Sequence, residues 1–339
     1  MRTTIKDVAK KAGVSPATVS LVLNKRPLPI SDETRERVLQ AADQLNYRPN
    51  MLAVSLVTKR SNSIGLILPD VSNPFFSAIS KYVQLSAMNY NFAVVSCSTN
   101  DDCSSTCNYL RFFAERSVDG IILTQSDFQS ELETSKILAL IEDIQIPIVL
   151  IDRVYETSKL PAVLVDQEKA GYLATQALLD SGHTRIGCVA GPLGIYGTKK
   201  RFEGYKKALS DYGVQFDRSL IYEGRYDIRT GINAVPYLLD KKVTGVFCFA
   251  DYIATGVYQG IRNMGRIIPE DISVVSIDDT ILTEAVQPPL TSVAQPIEEI
   301  ASVAVKTLIQ IINNEGDNSH IIYTLEPILK IRASIKKII

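Results

Sequence analysis

Polar, charged and aromatic side chains cluster just after short apolar runs, and their types suggest what they could hold. Asn73, Phe75 and Phe76 follow SIGLILPDV, Asp152 and Arg153 follow IPIVLI, Arg201 lies beyond GPLGIYG, and Asp278 closes ISVVSID. Carboxylates accept from paired hydroxyls, a guanidinium donates in a planar fork, and aromatic rings cover the apolar faces of a sugar. Such a set suits a small polyol. Plainer readings stay open: Phe75 and Phe76 as core residues, Asp152 and Arg153 as a surface pair. Catalysis is poorly served. His183 and His320 are the only histidines, and neither a G-x-S-x-G turn nor a phosphate loop occurs, so neither an enzyme nor a cofactor is expected. Cys97, Cys103, Cys107, Cys188 and Cys248 form an odd set without complementary metal-ligand spacing, which predicts free thiols and no metal.

These residues need a scaffold that gathers strand ends. From Ser63 the runs SIGLILPDV, FAVVSCS, DGIILTQS, IPIVLID, AVLVD, RIGCVAG, SLIYEG, VTGVFCFA and ISVVSID alternate with helical segments. That order predicts an α/β body of parallel, doubly wound sheets with both faces covered. So many strands favour two lobes, with crossings near Pro161 and near PPLTS. TSVAQ then reads as a strand, a helix runs from Pro296 to about Asn314, and HIIYTLEPILKIRAS returns the chain through both lobes. The expected lobes are 63–163 with 292–323, and 164–291 with 324–339. Ligands collect beyond the carboxyl ends of such strands, so facing lobes make a cleft.

The first 47 residues read differently. In TIKDVAKKAGVSPATVSLVLN, Val8, Ala9 and Ala12 share one helical face, and Val14, Val19, Val22 and Leu23 form another after Gly13. Ser15 is a natural N-cap with Pro16 in the first turn. A helix so begun turns Pro16, Ala17, Ser20, Leu21 and Asn24 outward, a small surface able to enter a major groove. A helical hairpin of an all-α domain has the same pattern. Ser31 caps a third helix running to about Asn46, whose Val38, Leu39, Ala42 and Leu45 could close a three-helix core. Lys25, Arg26, Arg35 and Arg48 are candidate phosphate contacts. Residues 48–62 form an apolar linker with a conditional two-turn helix after Pro49. Charge separates the parts: residues 1–60 carry 11 Lys and Arg against 5 Asp and Glu, and the remainder 25 against 32. A basic head on an acidic body predicts a polyanion partner for the head and binding that weakens steeply with salt.

DVAKKAGVSPATVSLVLN, the LNYRPN step, the short hinge with Leu56 and SIGLILPDVSNPFF together resemble the lactose-repressor/galactose-repressor family, and the similarity extends over essentially the whole chain. The resemblance implies a helix-turn-helix headpiece, a hinge helix and a two-lobed periplasmic-binding-protein-like body. It also implies a homodimer on a near-palindromic operator, with paired hinge helices entering the minor groove. Positions 16, 17 and 21 match its base-reading positions, and Leu56 matches its wedge into a central base step. Asn73, Phe75, Phe76, Asp152, Arg153, Arg201, Tyr226, Asp278 and Gln295 match its effector-contacting positions. Three departures bear on specificity: Leu21 and Val54 stand where many members carry Arg, and Ala250 where an Asn commonly reaches the ligand. Pro16, Ala17 and Leu21 could instead meet thymine methyls.

The expected function is therefore a repressor of carbohydrate-use genes whose operator affinity changes when a sugar or sugar derivative binds. Release of DNA on sugar binding is the expected sign. A transport-type sugar-binding protein and an architectural DNA-bending protein are the rivals. The basic head argues against the first, and the polar strand-end set against the second. No signal-peptide pattern follows Met1 and no long apolar span occurs, which predicts a cytoplasmic protein without a membrane partner. The chain ends without a further heptad-repeat helix, so a dimer is the simpler expectation.

Overall fold

The computed structural model describes residues 3–23, 30–48, 60–126, 130–155, 157–315 and 321–338. The chain forms two compact units, 1–61 and 62–339. Most of the expected hinge, including Leu56, and the candidate DNA contacts Asn24, Lys25 and Arg26 lie outside the described residues.

Among the described residues of the first unit there are three helices: α1 (Ile5–Ala12), α2 (Pro16–Leu23) and α3 (Asp32–Gln44). Local chemistry sets their ends. The Asp7 carboxylate accepts from the Thr4 backbone N at 2.8 Å and from its hydroxyl at 2.7 Å, and Gly13 ends α1 at φ 66°. Ser15 Oγ accepts from Thr18 N at 3.1 Å and Ser31 Oγ from Thr34 N at 3.3 Å, the expected caps. Val8, Ala9, Ala12, Val19, Val22, Val38, Ala41 and Ala42 form the core. Leu39 departs from expectation at 49% exposed, with Ala41 buried instead. At 100° per residue, positions 38, 41, 42 and 45 share one stripe and position 39 falls beside it.

The second unit contains two six-stranded sheets. One has the order β11-β5-β4-β3-β1-β2, with β1 (Ser63–Leu68), β2 (Ala93–Ser98), β3 (Gly120–Leu123), β4 (Ile148–Ile151), β5 (Ala162–Val165) and β11 (Ile322–Leu325). The other has the order β12-β10-β9-β8-β6-β7, with β6 (Ile186–Ala190), β7 (Ile221–Glu223), β8 (Gly245–Cys248), β9 (Ser273–Asp278), β10 (Thr291–Ala294) and β12 (Ile328–Lys330). Every pairing is parallel except that of β10 with β12. Central strands such as β3, β4, β6, β8 and β9 are buried along their whole length, as helices on both faces require. The edge strands β2, β7, β11 and β12 are partly open to solvent.

Crossings between lobes fall later than the sequence reading placed them. β5 stays paired in the first sheet through Val165, β10 pairs with β9 and β12 in the second through Ala294, and β11 stays in the first through Leu325. The expected breaks after 163, 291 and 323 therefore cut through or beside strands. Proline explains two of the displacements. Pro161 and the Pro288-Pro289 pair mark where a strand is about to start, because proline cannot donate within a ladder. Pro161 O already accepts from Leu150 N at 2.8 Å. The crossings thus occupy short joints: Asp166 and the first residue of α7 (Gln167–Leu179), 295–296 before α12 (Ile297–Ile312), and 326–327.

Candidate functional site

One cleft between the lobes gathers the strand-end residues. Asn73, Phe75, Phe76, Asp152 and Arg153 line it from the first lobe, Arg201, Tyr226, Ala250 and Asp278 from the second, and Gln295 from the second crossing. Ile195, Gly197 and Thr198 complete the lining. Nine residues expected at an effector site are thus neighbours in space, although they come from positions 73 to 295 of the chain.

Local backbone places each group. Asn73 is the N-cap of α4 (Pro74–Met88): its Oδ1 accepts from Phe75 N at 3.0 Å, so the group it can offer a ligand is its amide nitrogen. The two phenylalanines start that helix with rings edge to face, centroids 5.2 Å apart. Both are buried in the core of the first lobe and also wall the cleft, so the two readings of these rings are compatible. Asp152, just beyond β4, takes φ 60°, and Asp278, ending β9, takes φ 118°. Such backbone is uncommon for a residue with a Cβ and needs its surroundings to hold it. Behind Asp278 stands the buried Asp251, the first residue of α10 (Asp251–Asn263). Its carboxylate accepts from Ser276 Oγ at 2.5 Å, Ser292 Oγ at 2.8 Å, Thr280 N at 2.6 Å and Thr280 Oγ1 at 2.9 Å. On the far side Asp279 is held at 2.7 Å by both Lys330 and Arg332. The turn that carries Asp278 is therefore pinned to three neighbouring segments.

Charge inside the cleft is internally matched. Arg153 reaches Asp101 at 3.2 Å and Asp152 at 3.8 Å. Its guanidinium lies 5.2 Å from the Phe76 ring centroid and 5.4 Å from that of Tyr226, so it sits between an aromatic of each lobe in cation–π range. Arg201 donates from Nε to Gln167 Oε1 at 2.7 Å and from a terminal nitrogen to Phe249 O, and approaches Asp278 at 3.8 Å. Gln295 Nε2 donates to Asp278 Oδ1 at 2.7 Å. Burial pushes the Asp152 carboxyl above its ordinary value, against the lowering effect of Arg153 and Arg201. Asp278 is raised well above the carboxylate range, again first by burial, with Arg201 opposing. Tyr226 Oη and Thr198 Oγ1 are 2.8 Å apart, and the Tyr226 ring lies so close to Gly191 that a Cβ there would meet it at 2.2 Å.

Some members of this site had no advance signal, and others had one that could have been used. Thr198 precedes Arg201 by three residues on α8 (Tyr196–Asp211), so an arginine placed in the cleft brings the i−3 position with it. Asp101 follows β2 and obeys the same strand-end rule as Asp152. Gln167 could not be singled out, because a glutamine at the start of a helix is ordinarily a solvated residue. In the headpiece Ser15, Pro16 and Ala17 are exposed, Ser20, Leu21 and Arg35 half-buried, and Arg48 exposed. Ser15, Pro16, Ala17, Ser20 and Leu21 come together at and along α2, Arg35 stands on α3, and Arg48 follows it. Among the described residues no group of three or more His, Cys, Asp or Glu is placed to hold a metal ion, and all five cysteines are free. No helix among them is long and apolar enough to cross a membrane.

Residues 4–50 match the family model of bacterial regulatory proteins, lacI family, and residues 61–328 that of periplasmic binding proteins and sugar binding domain of LacI family. The HTH-type transcriptional regulator DegA of Bacillus subtilis is 38% identical over 306 residues, 89% of each chain. Among solved structures, the lac repressor dimer bound to operator and the anti-inducer ONPF superposes with a TM-score of 0.87 at 25% identity, covering 99% of this chain and 100% of that one. The complex of the transcriptional regulator CelR with cellobiose superposes at 0.74 with 28% identity, covering 98% and 100%.

Proposed function

The chain belongs to the lacI family of bacterial regulatory proteins, DNA-binding transcriptional regulators, and from that premise we propose that it is a homodimeric repressor of carbohydrate-use genes, released from its operator by a sugar or sugar derivative. One observation carries the effector assignment: an aromatic from each lobe, two arginines and two aspartates converge on one interlobe cleft. Hydroxyl pairs can accept from the arginines and donate to the carboxylates, while Phe76 and Tyr226 cover the apolar faces of the ring.

The free volume of the cleft is about 30 Å³, room for one or two water molecules rather than a sugar. Arg153 fills the space between the two rings. A sugar must therefore displace this guanidinium, part the lobes, or both. Because Arg153 touches Tyr226 of the other lobe, moving it changes the contacts that set the lobe arrangement. An effector that favours one arrangement then changes DNA affinity, and DNA changes effector affinity by the same factor. On the DNA side, Pro16, Ala17, Ser20 and Leu21 offer a largely apolar reading face, with Arg35 and Arg48 as phosphate contacts.

Calorimetric titration of the full chain with a panel of pentoses, hexoses and disaccharides tests the effector. Gel shift then follows on an operator selected from random duplexes. A sugar that binds and weakens the DNA complex is the expected result. Binding without any change in DNA affinity would favour a transport-type binding protein, and an indifferent body would favour an architectural DNA binder.

A further inference from the structure

Gln167 is buried although glutamine has four hydrogen-bonding positions to satisfy, and it stands on the first crossing between the lobes. Gln295, also buried, stands on the second. Gln167 Nε2 donates to Gln295 Oε1 at 2.9 Å, so the two crossings are joined side chain to side chain. The orientation of both amides is dictated from the arginine end. The Gln295 oxygen faces residue 167 and its NH₂ reaches Asp278 Oδ1. Arg201 only donates, which turns the Gln167 oxygen toward Arg201 and leaves its NH₂ for Gln295. The approach of Arg201 to Asp278 at 3.8 Å closes the circuit. Along the three hydrogen bonds from Arg201 through the two glutamines to Asp278 every donor points the same way, the arrangement in which neighbouring hydrogen bonds polarise each other favourably.

We propose that Gln167 is a positioning residue for effector recognition: with Gln295 it relays three same-way hydrogen bonds, Arg201 to Gln167 to Gln295 to Asp278, which the direct Arg201–Asp278 contact closes into a ring that holds both effector-facing charges and ties them to the two crossings. This rests on the reading of Arg201 and Asp278 as effector contacts. Position 167 needs a side chain that accepts at one atom and donates at the next, at the length of glutamine. Methionine keeps the length and loses both bonds. Glutamate keeps the shape and the Arg201 contact but sets a carboxylate against the Gln295 oxygen. If Gln295 flipped to donate to it, the Gln295 Nε2 to Asp278 Oδ1 hydrogen bond would be lost. Rearrangement at either end therefore breaks the other. An effector that draws Arg201 or Asp278 toward itself pulls on residues 166–167 and 295–296, where the lobes pivot.

Hydrogen exchange of the full-length, sugar-free protein tests the ring. Gln167→Met, Gln295→Met and the double variant are compared with wild type over residues 165–170 and 294–298, with β8 and β9 as internal reference. Each single variant should exchange about tenfold faster at both crossings, as loss of a hydrogen bond to a charged network implies, and the double variant no faster than either. Gln167→Glu should release the 294–298 segment despite its matching shape. A role in packing alone would leave Gln167→Glu like wild type. Wild-type exchange at 294–298 in Gln167→Met, or additive effects in the double variant, would overturn the ring. D-Ribose, D-galactose and cellobiose serve as probes in calorimetry, and any that binds wild type should bind Gln167→Met about tenfold more weakly. Failure of all three probes with wild type counts against the effector reading, and the exchange result then decides the ring by itself.

Discussion

Arg201→Ala separates DNA binding from effector response. The residue is 5% exposed and its side chain serves Gln167 Oε1, Phe249 O and the Asp278 carboxyl. Truncation leaves those acceptors in a buried site. A buried polar group stranded in this way costs about 1–3 kcal/mol, and breaking a buried ion pair about 3–5 kcal/mol. The two figures overlap rather than add, because Asp278 is already pushed toward its neutral form and can take up a proton when its cation is removed. A net loss of about 3–5 kcal/mol is the expected result, or about 5–10 °C in the unfolding midpoint of the larger unit. Within an ordinary stability of about 5–15 kcal/mol the variant stays folded. Effector affinity loses a charged hydrogen bond, about 1.5–3 kcal/mol, or about 10–150-fold. Calorimetric scanning, sugar titration and operator gel shift on the same preparation read all three quantities. Wild-type operator binding with a sugar response shifted at least tenfold is expected. An unchanged midpoint together with a response at the wild-type sugar concentration would refute the assignment of the cleft.

Other perturbations reach different parts of the machine. Burial raises the Asp251 carboxyl from 3.8 to about 6. Its folded pKa lies above its unfolded one, so its stabilisation is present below the unfolded pKa and lost as pH rises through the folded one. Asp251→Asn should remove that slope. The wild-type minus variant difference in unfolding midpoint should change between about pH 4 and 6 and be flat above about pH 7, and a constant difference throughout would contradict it. Gly191→Ala would place a Cβ 2.2 Å from the Tyr226 ring and turn the ring out of the cleft, with a larger effect on sugar affinity than on the unfolding midpoint. Titration and scanning together check it, and unaltered sugar affinity would exclude Tyr226 as a ring platform. Leu56→Ala should weaken operator binding and reduce bending in circularly permuted fragments without moving the unfolding midpoint of the larger unit. Wild-type affinity and bending would remove the wedge role from Leu56.

What the sequence disclosed follows from which signals are local. Helix caps at Ser15 and Ser31 and the wholly buried runs such as ISVVSID are written within a few residues, and each has its counterpart in the structure. Strand-end placement then brought Asp152, Arg201 and Asp278 to one cleft from distant positions, because a parallel sheet aligns all its carboxyl ends. Crossings were read a few residues early because proline announces the next strand, while the end of a strand is set by its partner's hydrogen bonds. Leu39 was misplaced by a few tens of degrees of helix rotation. Gln167 was illegible for a different reason. Its burial depends on two joints meeting that are 128 residues apart, and nothing in the QEKAGY segment reports on Gln295.

The charge arrangement of the cleft also narrows the class of ligand it can accept. Arg153 and Arg201 face Asp101, Asp152 and Asp278, and the raised pKa values of Asp152 and Asp278 lower the effective negative charge. These groups already satisfy one another. An anionic effector would compete with the aspartates for both guanidinium groups and leave a buried carboxylate unpaired, and a cationic effector would do the same to an arginine. Either outcome costs several kcal/mol of desolvation that the ligand's own contacts must offset. A neutral polyol avoids this, since each hydroxyl can donate to a carboxylate and accept from an arginine while both charges keep partners. On the proposed effector reading, Arg153 is a group that such a ligand can displace without stranding a charge. Its stem joins the first lobe, its charge stays paired with Asp101 if it swings aside, and the face it vacates between Phe76 and Tyr226 is the apolar surface that a sugar ring covers.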